Sequence, residues 1–572
     1  MSGAAGVVDS LRRAGVTRAF GVPVLENAFL VDAFQQGRVE LVLATCEAAA
    51  ASMADAHARV SGRLGACLLG PGPGLAKALA GVAQARMDST PLLVLVAAGR
   101  LRPGEQRRRR EPRYDHLALA RPVCKRAIVI DAPEMVPSAM ARAVQLARRG
   151  EPGPVLVEIP PEVQRGSARM EGTGFRNVPQ ALSAEAERAL AAALELIQRA
   201  ERVGLIAGAG SFQATEELQQ LAEMLAAPVA TSLSGLGALP DIHPLNTGFG
   251  PGPAGSPVAA AAFGDCDLLL AVGCKFSEAA TGAYSLELEA PLVHIDREPG
   301  VAGLYLPTAV AVTAPARQAL RYLLDRCQPR LRPELRERIR GAKRQLRERL
   351  DGRAPWPDAV DPIKVFRALR ELLATDDVLV LDAGRHAYFG FAGFPVQAPR
   401  SLIAPVDYRA TGFSLPAAVA AALERPDGRV VACVGEGGFI QSHQELLTAR
   451  RCNVAPLVLL FADQHLAPVR GLQQRVIGRE TAVDLIPVDY EALSASLAVG
   501  YRCIRRDAEL AEGLREALCT EAPVVVELRV DYREPARLLQ ALQHDGADPT
   551  GRGSLRQGLR QVFRRLLGRG DD

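Results

Sequence analysis

The sequence predicts an α/β protein built of three doubly wound parallel-sheet domains, and three observations predict it. Helix-period and strand-like segments alternate from one end of the chain to the other. Several strand-like segments, among them 65–69 and 91–98, are unbroken apolar runs, as strands buried on both faces are. The 572 residues also exceed what one hydrophobic core serves, since domains commonly hold roughly 100–200 residues.

In order, 7–13 reads as a helix, 18–21 as a short strand, 26–36 as a helix and 40–44 as a strand. A helix over 47–61 and a buried strand over 65–69 follow, then the glycine-rich turn Gly70-Pro-Gly-Pro-Gly74, a helix and the strand 91–98. The segment 153–160 closes this first domain, 1–170. The second, 184–329, opens on a helix, continues with a strand over 202–207 and ends near the apolar run 309–314. A charged helical stretch, 330–360, reads as a linker. The third domain, 361–535, has strands at 378–381, 429–434, 456–461 and 523–528, and a basic amphipathic tail, 536–572, follows it.

Composition excludes several classes. Apolar residues make up 48% and charged residues 23%, the balance of a globular protein rather than a disordered or fibrous one. No apolar stretch approaches the roughly 20 residues of a membrane span, and 1–20 lacks a signal peptide's apolar centre, so a cytoplasmic protein is expected. The net charge of +4 is accounted for by the six Arg and two Asp of 549–572, which leaves no basic face for nucleic acid. Leu555, Leu559, Val562, Phe563, Leu566 and Leu567 fall at helical spacing in that tail, which is expected to pack on its own protein rather than on a membrane. The ten cysteines show no metal-ligand spacing and sit beside apolar residues, as buried free thiols do.

The third domain carries the most informative segment. The strand ending at Val434 runs into Gly435-Glu436-Gly437-Gly438, and a helix is expected over 442–450. A glycine-rich turn between strand and helix presents backbone N–H groups to an anion, although most such turns are only tight connections. Asp463 stands 27 residues beyond Glu436, at the end of the next strand. Two oxygen side chains on adjacent strand ends can share a hard divalent cation, and a cation there would bridge a diphosphate to the turn.

This arrangement resembles the thiamine-diphosphate-dependent enzymes, in the acetolactate synthase and 2-oxoacid decarboxylase branch. Asp382-Ala-Gly384 with His386, Thr411-Gly-Phe-Ser-Leu-Pro-Ala-Ala418 and Gln444-Glu-Leu446 match the family's cofactor domain. Gly235-Leu-Gly237 and His294-Ile-Asp296 match its middle domain; Gly70-Pro-Gly72, Met87-Asp-Ser-Thr-Pro91 and 150–154 match its first.

The resemblance implies a pyrimidine-binding, a central and a diphosphate-binding domain, and thiamine diphosphate with Mg2+ as cofactors. It implies decarboxylation of a 2-oxoacid, with release of an aldehyde or ligation to a second carbonyl. Gly384, Thr411, Gly412, Gly435, Gly437, Gly438 and His465 are the implied cofactor contacts; Glu436, Asp463 and His465 are the implied metal site. Glu47, on its own a helix-start carboxylate favoured by the helix dipole, becomes the group that activates the aminopyrimidine ring. His386 and His116 become proton-transfer candidates. Arg470, Leu472 and His116 face the substrate, and the family's assembly implies a homodimer or a dimer of dimers.

Departures from the pattern mark the same residues. Glu436 replaces the family's Asp, Asp463 its Asn, Thr411 a bulky apolar residue and Leu472 a Trp. Lys275 replaces an Arg of the middle domain, so FAD is not carried over from the synthases. Arg107–Arg110, Glu111 and Pro112 stand where the synthases have a Phe-Gln pair, and this Arg run reads as a solvated loop. The changes at 411, 436 and 463 leave a second reading open, a non-catalytic member acting as a structural or regulatory partner.

Overall fold

The continuous apolar runs become the central strands of parallel sheets. The computed structural model describes residues 1–98, 115–167, 181–252, 255–282, 284, 286–352, 358–476 and 478–532. The Arg run 107–110, with Glu111 and Pro112, and the basic tail lie outside the described residues. Among the described residues three six-stranded parallel sheets form.

The first holds β1 (Arg18–Gly21), β2 (Glu40–Leu43), β3 (Gly65–Leu69), β4 (Leu92–Val96), β5 (Arg126–Val129) and β6 (Pro154–Glu158), in the order β2-β1-β3-β4-β6-β5. The second holds β7 (Val203–Ala207), β8 (Val229–Thr231), β9 (Asn246–Phe249), β10 (Leu268–Val272), β11 (Leu292–Asp296) and β12 (Val310–Thr313), in the order β12-β11-β10-β7-β8-β9. The third holds β13 (Val378–Leu381), β14 (Leu402–Ile403), β15 (Val430–Gly435), β16 (Leu457–Ala462), β17 (Gly500–Ile504) and β18 (Val524–Arg529), in the order β14-β13-β15-β16-β18-β17.

The chain divides into two compact units, and the first and third sheets share one of them, 1–180 with 354–532. Two alanine-rich helices, Glu47–Ser61 and Ser414–Glu424, pack together there. Ala50, Ala51, Ala54, Ala417, Ala420 and Ala421 are buried in one core with Phe20 and Phe413, and their small side chains let the helices approach closely. Charge fixes the alignment. Arg18 donates to Glu424 at 2.7 Å and to the Leu423 carbonyl at 2.8 Å, and Asp88 accepts the N–H groups of Val406 and Asp407.

The second unit contains 181–353. The stretch 330–360 is not a free linker over its helical part. The helix Pro333–Asp351 buries Leu335 and Ile339 in this unit's core, and Leu350 is also buried. Leu335 and Ile339 are one helical turn apart, the spacing of a packed face. Among the described residues no helix is long and apolar enough to cross a membrane. All ten cysteines are free; Cys67, Cys274, Cys327 and Cys433 are buried, whereas Cys519 is exposed.

Candidate active site

Strand order reverses between β13 and β15, and in open α/β sheets ligands bind outside the strand carboxyl ends at such a point. Asp382, the residue after β13, is fully buried there. Its carboxylate accepts the N–H of Ala383 at 2.8 Å, of Gly412 at 3.0 Å and of Ser414 at 2.9 Å, and the Ser414 hydroxyl at 2.9 Å. Burial outweighs these donors and pushes the carboxyl up to about 6. A Cβ at Gly438 would fall 3.2 Å from the Asp382 Cγ, so position 438 has little room for a side chain. Asp382 thus fixes the 411–414 loop and packs against the turn at 438. Sequence reasoning cited it only as part of a motif; the signal was an acidic residue ending the buried run Val378–Leu381. Thr411 itself is exposed at the mouth of the loop.

His386 lies in the same crevice. It is 2% exposed, and its ring stacks on Phe461 with centroids 5.3 Å apart. A Cβ on Gly384 would come within 2.5 Å of the His386 Cε1, and one on Gly435 within 3.6 Å, so two glycines make space for the imidazole. Desolvation lowers its pKa to about 4, which keeps the ring neutral. Its Nε2 is a buried polar atom with no hydrogen-bond partner. A neutral, buried imidazole is better placed to orient a bound group than to exchange protons with solvent.

The glycine-rich segment departs from expectation. The helix begins at Glu436, not at 442; Gly435 is its N-cap, and a second helix runs Glu445–Arg451. The β15–β16 register sets Gly435 opposite Phe461, so Glu436 and Asp463 leave adjacent strand ends. Glu436, 5% exposed, turns inward. Its Oε1 accepts the Tyr490 hydroxyl at 3.0 Å; its Oε2 accepts the N–H of Asp463 at 3.1 Å and of Gln464 at 2.5 Å. Burial and the neighbouring Glu436 push the Asp463 carboxyl up to about 6. His465 is held through Nδ1 on the Asp463 carbonyl and through Nε2, 3.3 Å from Asp484. A Cβ on Gly437 would meet only Leu466, at 3.7 Å.

The other expected residues are placed as follows. Arg470 pairs with Glu480 at 2.8 Å, so its charge is engaged within its own loop. Leu472 lies in the helix Ala467–Val476, but its side chain is outside the described ones. His116 is not a free proton-transfer group: Nε2 accepts the Gly72 N–H at 2.7 Å, which leaves Nδ1 to donate to Glu158 at 2.7 Å. Both nitrogens are committed to holding the 70–74 turn.

Glu47 opens its helix at the first sheet, 9% exposed. A Cβ on Gly74 would fall 3.0 Å from its Oε1, and Lys77 Nζ lies 4.0 Å from its Oε2. Thr45, two residues earlier, donates to Glu445, which ties this strand end to the helix after the Glu436 helix. The structure therefore gathers Gly384, His386, Gly412, Gly435, Glu436, Gly438, Asp463 and His465 at the third sheet, and Glu47 with His116 around the 70–74 turn of the first.

A polar cofactor fits the third sheet's edge through the His386 Nε2, a buried polar atom without a partner, on a ring seated against Gly384 and Gly435. Glu436 does not fit the part of magnesium ligand read from its position. A carboxylate offers about four acceptor sites, and three of them are taken by main-chain and phenol donors. Asp463 and the main-chain carbonyl of His465 are the groups through which this edge could hold a cation.

Comparison with known proteins agrees with the architecture. The family model for the thiamine pyrophosphate enzyme N-terminal TPP binding domain matches residues 1–118, the central-domain model 190–323 and the C-terminal TPP binding domain 382–528. The chain is 30% identical over 558 residues to a "Probable acetolactate synthase large subunit" of Methanocaldococcus jannaschii, covering 93% of each chain. It is 31% identical over 550 residues to a "Probable 2-ketoarginine decarboxylase AruI" of Pseudomonas aeruginosa, covering 91% of this chain and 93% of the relative. It is 30% identical over 544 residues to the "Acetolactate synthase isozyme 2 large subunit" of Escherichia coli, covering 93% and 96%. With all three domains matched in order and full-length relatives on this scale, the chain belongs to the thiamine-diphosphate-dependent enzyme family, in its acetolactate synthase and 2-oxoacid decarboxylase branch.

Proposed function

We propose that this chain is an acetolactate synthase-like enzyme that decarboxylates a 2-oxoacid and either releases the aldehyde or ligates the remaining fragment to a second carbonyl. The observation that carries this reading is a buried carboxylate, Glu47, against the 70–74 turn of a chain that matches the family along its length. That retention favours an enzyme over a non-catalytic partner. Thiamine diphosphate, when bound, supplies the electron sink for cleaving the bond between the carboxylate and the carbonyl carbon of the substrate.

The chain's own residues hold and orient. His386, seated against Gly384 and Gly435, would receive the diphosphate end, and Asp382 fixes the Gly412 loop beside it. Asp463 and the His465 carbonyl would hold Mg2+. The Glu47 carboxyl is the group that would hydrogen-bond the aminopyrimidine ring, and its near-complete burial would keep water from that contact. FAD is not part of this reading, since Lys275 stands where the resemblance calls for Arg.

Glu47 lies against Gly74 and Lys77, whereas the diphosphate edge is on another sheet, and a second copy would bring its Glu47 to that edge. Tyr388, Ile440, Leu447, Leu466 and Val469 are half-exposed apolar side chains on helices and loops of the third sheet, which supports a homodimer with twofold symmetry. Free cysteines throughout support a reducing compartment, the cytoplasm.

Cofactor-dependent CO2 release, assayed with pyruvate, longer aliphatic 2-oxoacids and a guanidino-bearing 2-oxoacid, tests the proposal. Release from at least one of them, lost when thiamine diphosphate is omitted, is expected. Equal rates with and without the cofactor would refute it.

A further inference from the structure

We propose that Glu436 does from within the chain what a bound cation does for such a loop: it fastens the end of β16 to the end of β15, so that the Asp463–His465 segment is ordered without metal. The inference rests on the reading that this edge receives the cofactor's diphosphate, and it concerns how the edge is held before any ligand arrives.

Side-chain length comes first. Glu carries one more methylene than the Asp expected at this place, which extends its reach by about 1.5 Å, one carbon–carbon bond. The extra length carries the carboxylate to the neighbouring strand end, where its Oε2 takes the N–H groups of Asp463 and Gln464 together. Its Oε1 is anchored from a third direction by Tyr490, itself buried at the start of the helix Tyr490–Ser496.

The conformation that this clamp holds is a strained one. Gln464 sits at φ +60°, the left-handed region that costs a non-glycine residue roughly 1 kcal/mol or more. Its N–H is one of the two groups bound by Glu436. The neighbouring polar groups are also satisfied internally: the Asp463 carbonyl accepts from His465 Nδ1, and the Gln464 carbonyl accepts the Leu485 N–H at 2.9 Å. Leu466 N–H reaches the Val483 carbonyl at 2.8 Å. With the N–H groups of Asp463, Gln464 and Leu466 and the carbonyls of Asp463 and Gln464 matched inside the protein, the backbone of this segment keeps its shape without an ion. The carboxylate that would otherwise ligate the ion is spent on this task.

Hydrogen exchange on the full chain, treated with EDTA and free of cofactor, reads the clamp at the amides of Asp463 and Gln464. In the wild-type protein both amides should be protected, and magnesium chloride alone should leave their rates unchanged. In Glu436→Asp the shorter carboxylate no longer spans the gap, and protection should fall by roughly tenfold or more, the worth of a hydrogen bond to a charged group. Magnesium should restore it in that variant. If the wild-type amides exchange freely in EDTA and become protected only on adding magnesium, the inference is overturned. That comparison needs no variant, so a poorly folding Glu436→Asp does not blunt it. Failure of the enzymatic reading would appear instead as absent cofactor binding, with these exchange rates unaffected.

Discussion

Glu47→Gln is expected to keep cofactor affinity nearly intact while lowering 2-oxoacid turnover by roughly 10²–10⁴, the range for losing an acid–base group. Glutamine matches glutamate in size, so the contact with Gly74 and the packing of the Glu47–Ser61 helix should survive. What disappears is a carboxyl group able to give and take a proton at a site 9% exposed, where water cannot easily stand in for it. The loss belongs in kcat more than in KM, because the carboxyl acts on the reacting system and not on substrate affinity. Steady-state CO2 release by both proteins, with cofactor affinity measured in parallel, decides it. Parental turnover in the variant would remove Glu47 from its role.

Asp382→Ala should cost about 2–3 kcal/mol of stability, the scale for leaving buried donors without their acceptor. Its carboxylate is the acceptor for three main-chain N–H groups and one hydroxyl. Alanine leaves all four without it, and the two donors of Ser414 are buried where water cannot replace the carboxylate. Gly412, at φ +83°, and Ser414 lose their anchor together, so the loop carrying Thr411 should loosen before the whole unit melts. A lower urea midpoint, with early proteolytic nicking between 408 and 412, is the expected result; an unchanged midpoint would show that the four donors find other partners.

The same carboxyl gives a pH signature. It is raised from 3.8 to about 6 on folding. A carboxyl raised in the native state contributes stability below its unfolded pKa and loses that contribution as pH rises through about 6. The slope between about pH 4 and pH 6 should be shallower in Asp382→Ala by one group's share, with the Asp463 carboxyl, also raised to about 6, still contributing.

What the sequence made legible follows from burial. β3 and β13 occupy the expected residues because strands covered on both faces are continuous apolar runs. The edge strands β5 and β17 were missed for the converse reason. Arg126–Val129 and Gly500–Ile504 are half-exposed and mixed in polarity, and β14 has only two residues. The helix at Glu436 was hidden by its glycines, whose weak helix propensity is overridden here by the strand that delivers them.

At the site, spacing correctly put Glu436 and Asp463 on neighbouring strand ends. It could not show which way the Glu436 carboxylate turns, because its partners are main-chain N–H groups and Tyr490, 54 residues away. The surroundings of His116 are hidden from the sequence for a similar reason: Glu158, 42 residues distant in sequence, fixes its ring.

The central claim is that this chain carries a working thiamine diphosphate site, and calorimetric titration of the purified full-length protein with thiamine diphosphate in the presence of magnesium tests it most directly. The account predicts saturable binding of one cofactor per chain, weakened when His386 is replaced by Ala. An absence of binding heat across a range of temperatures, with unchanged thermal stability in excess cofactor, would contradict it.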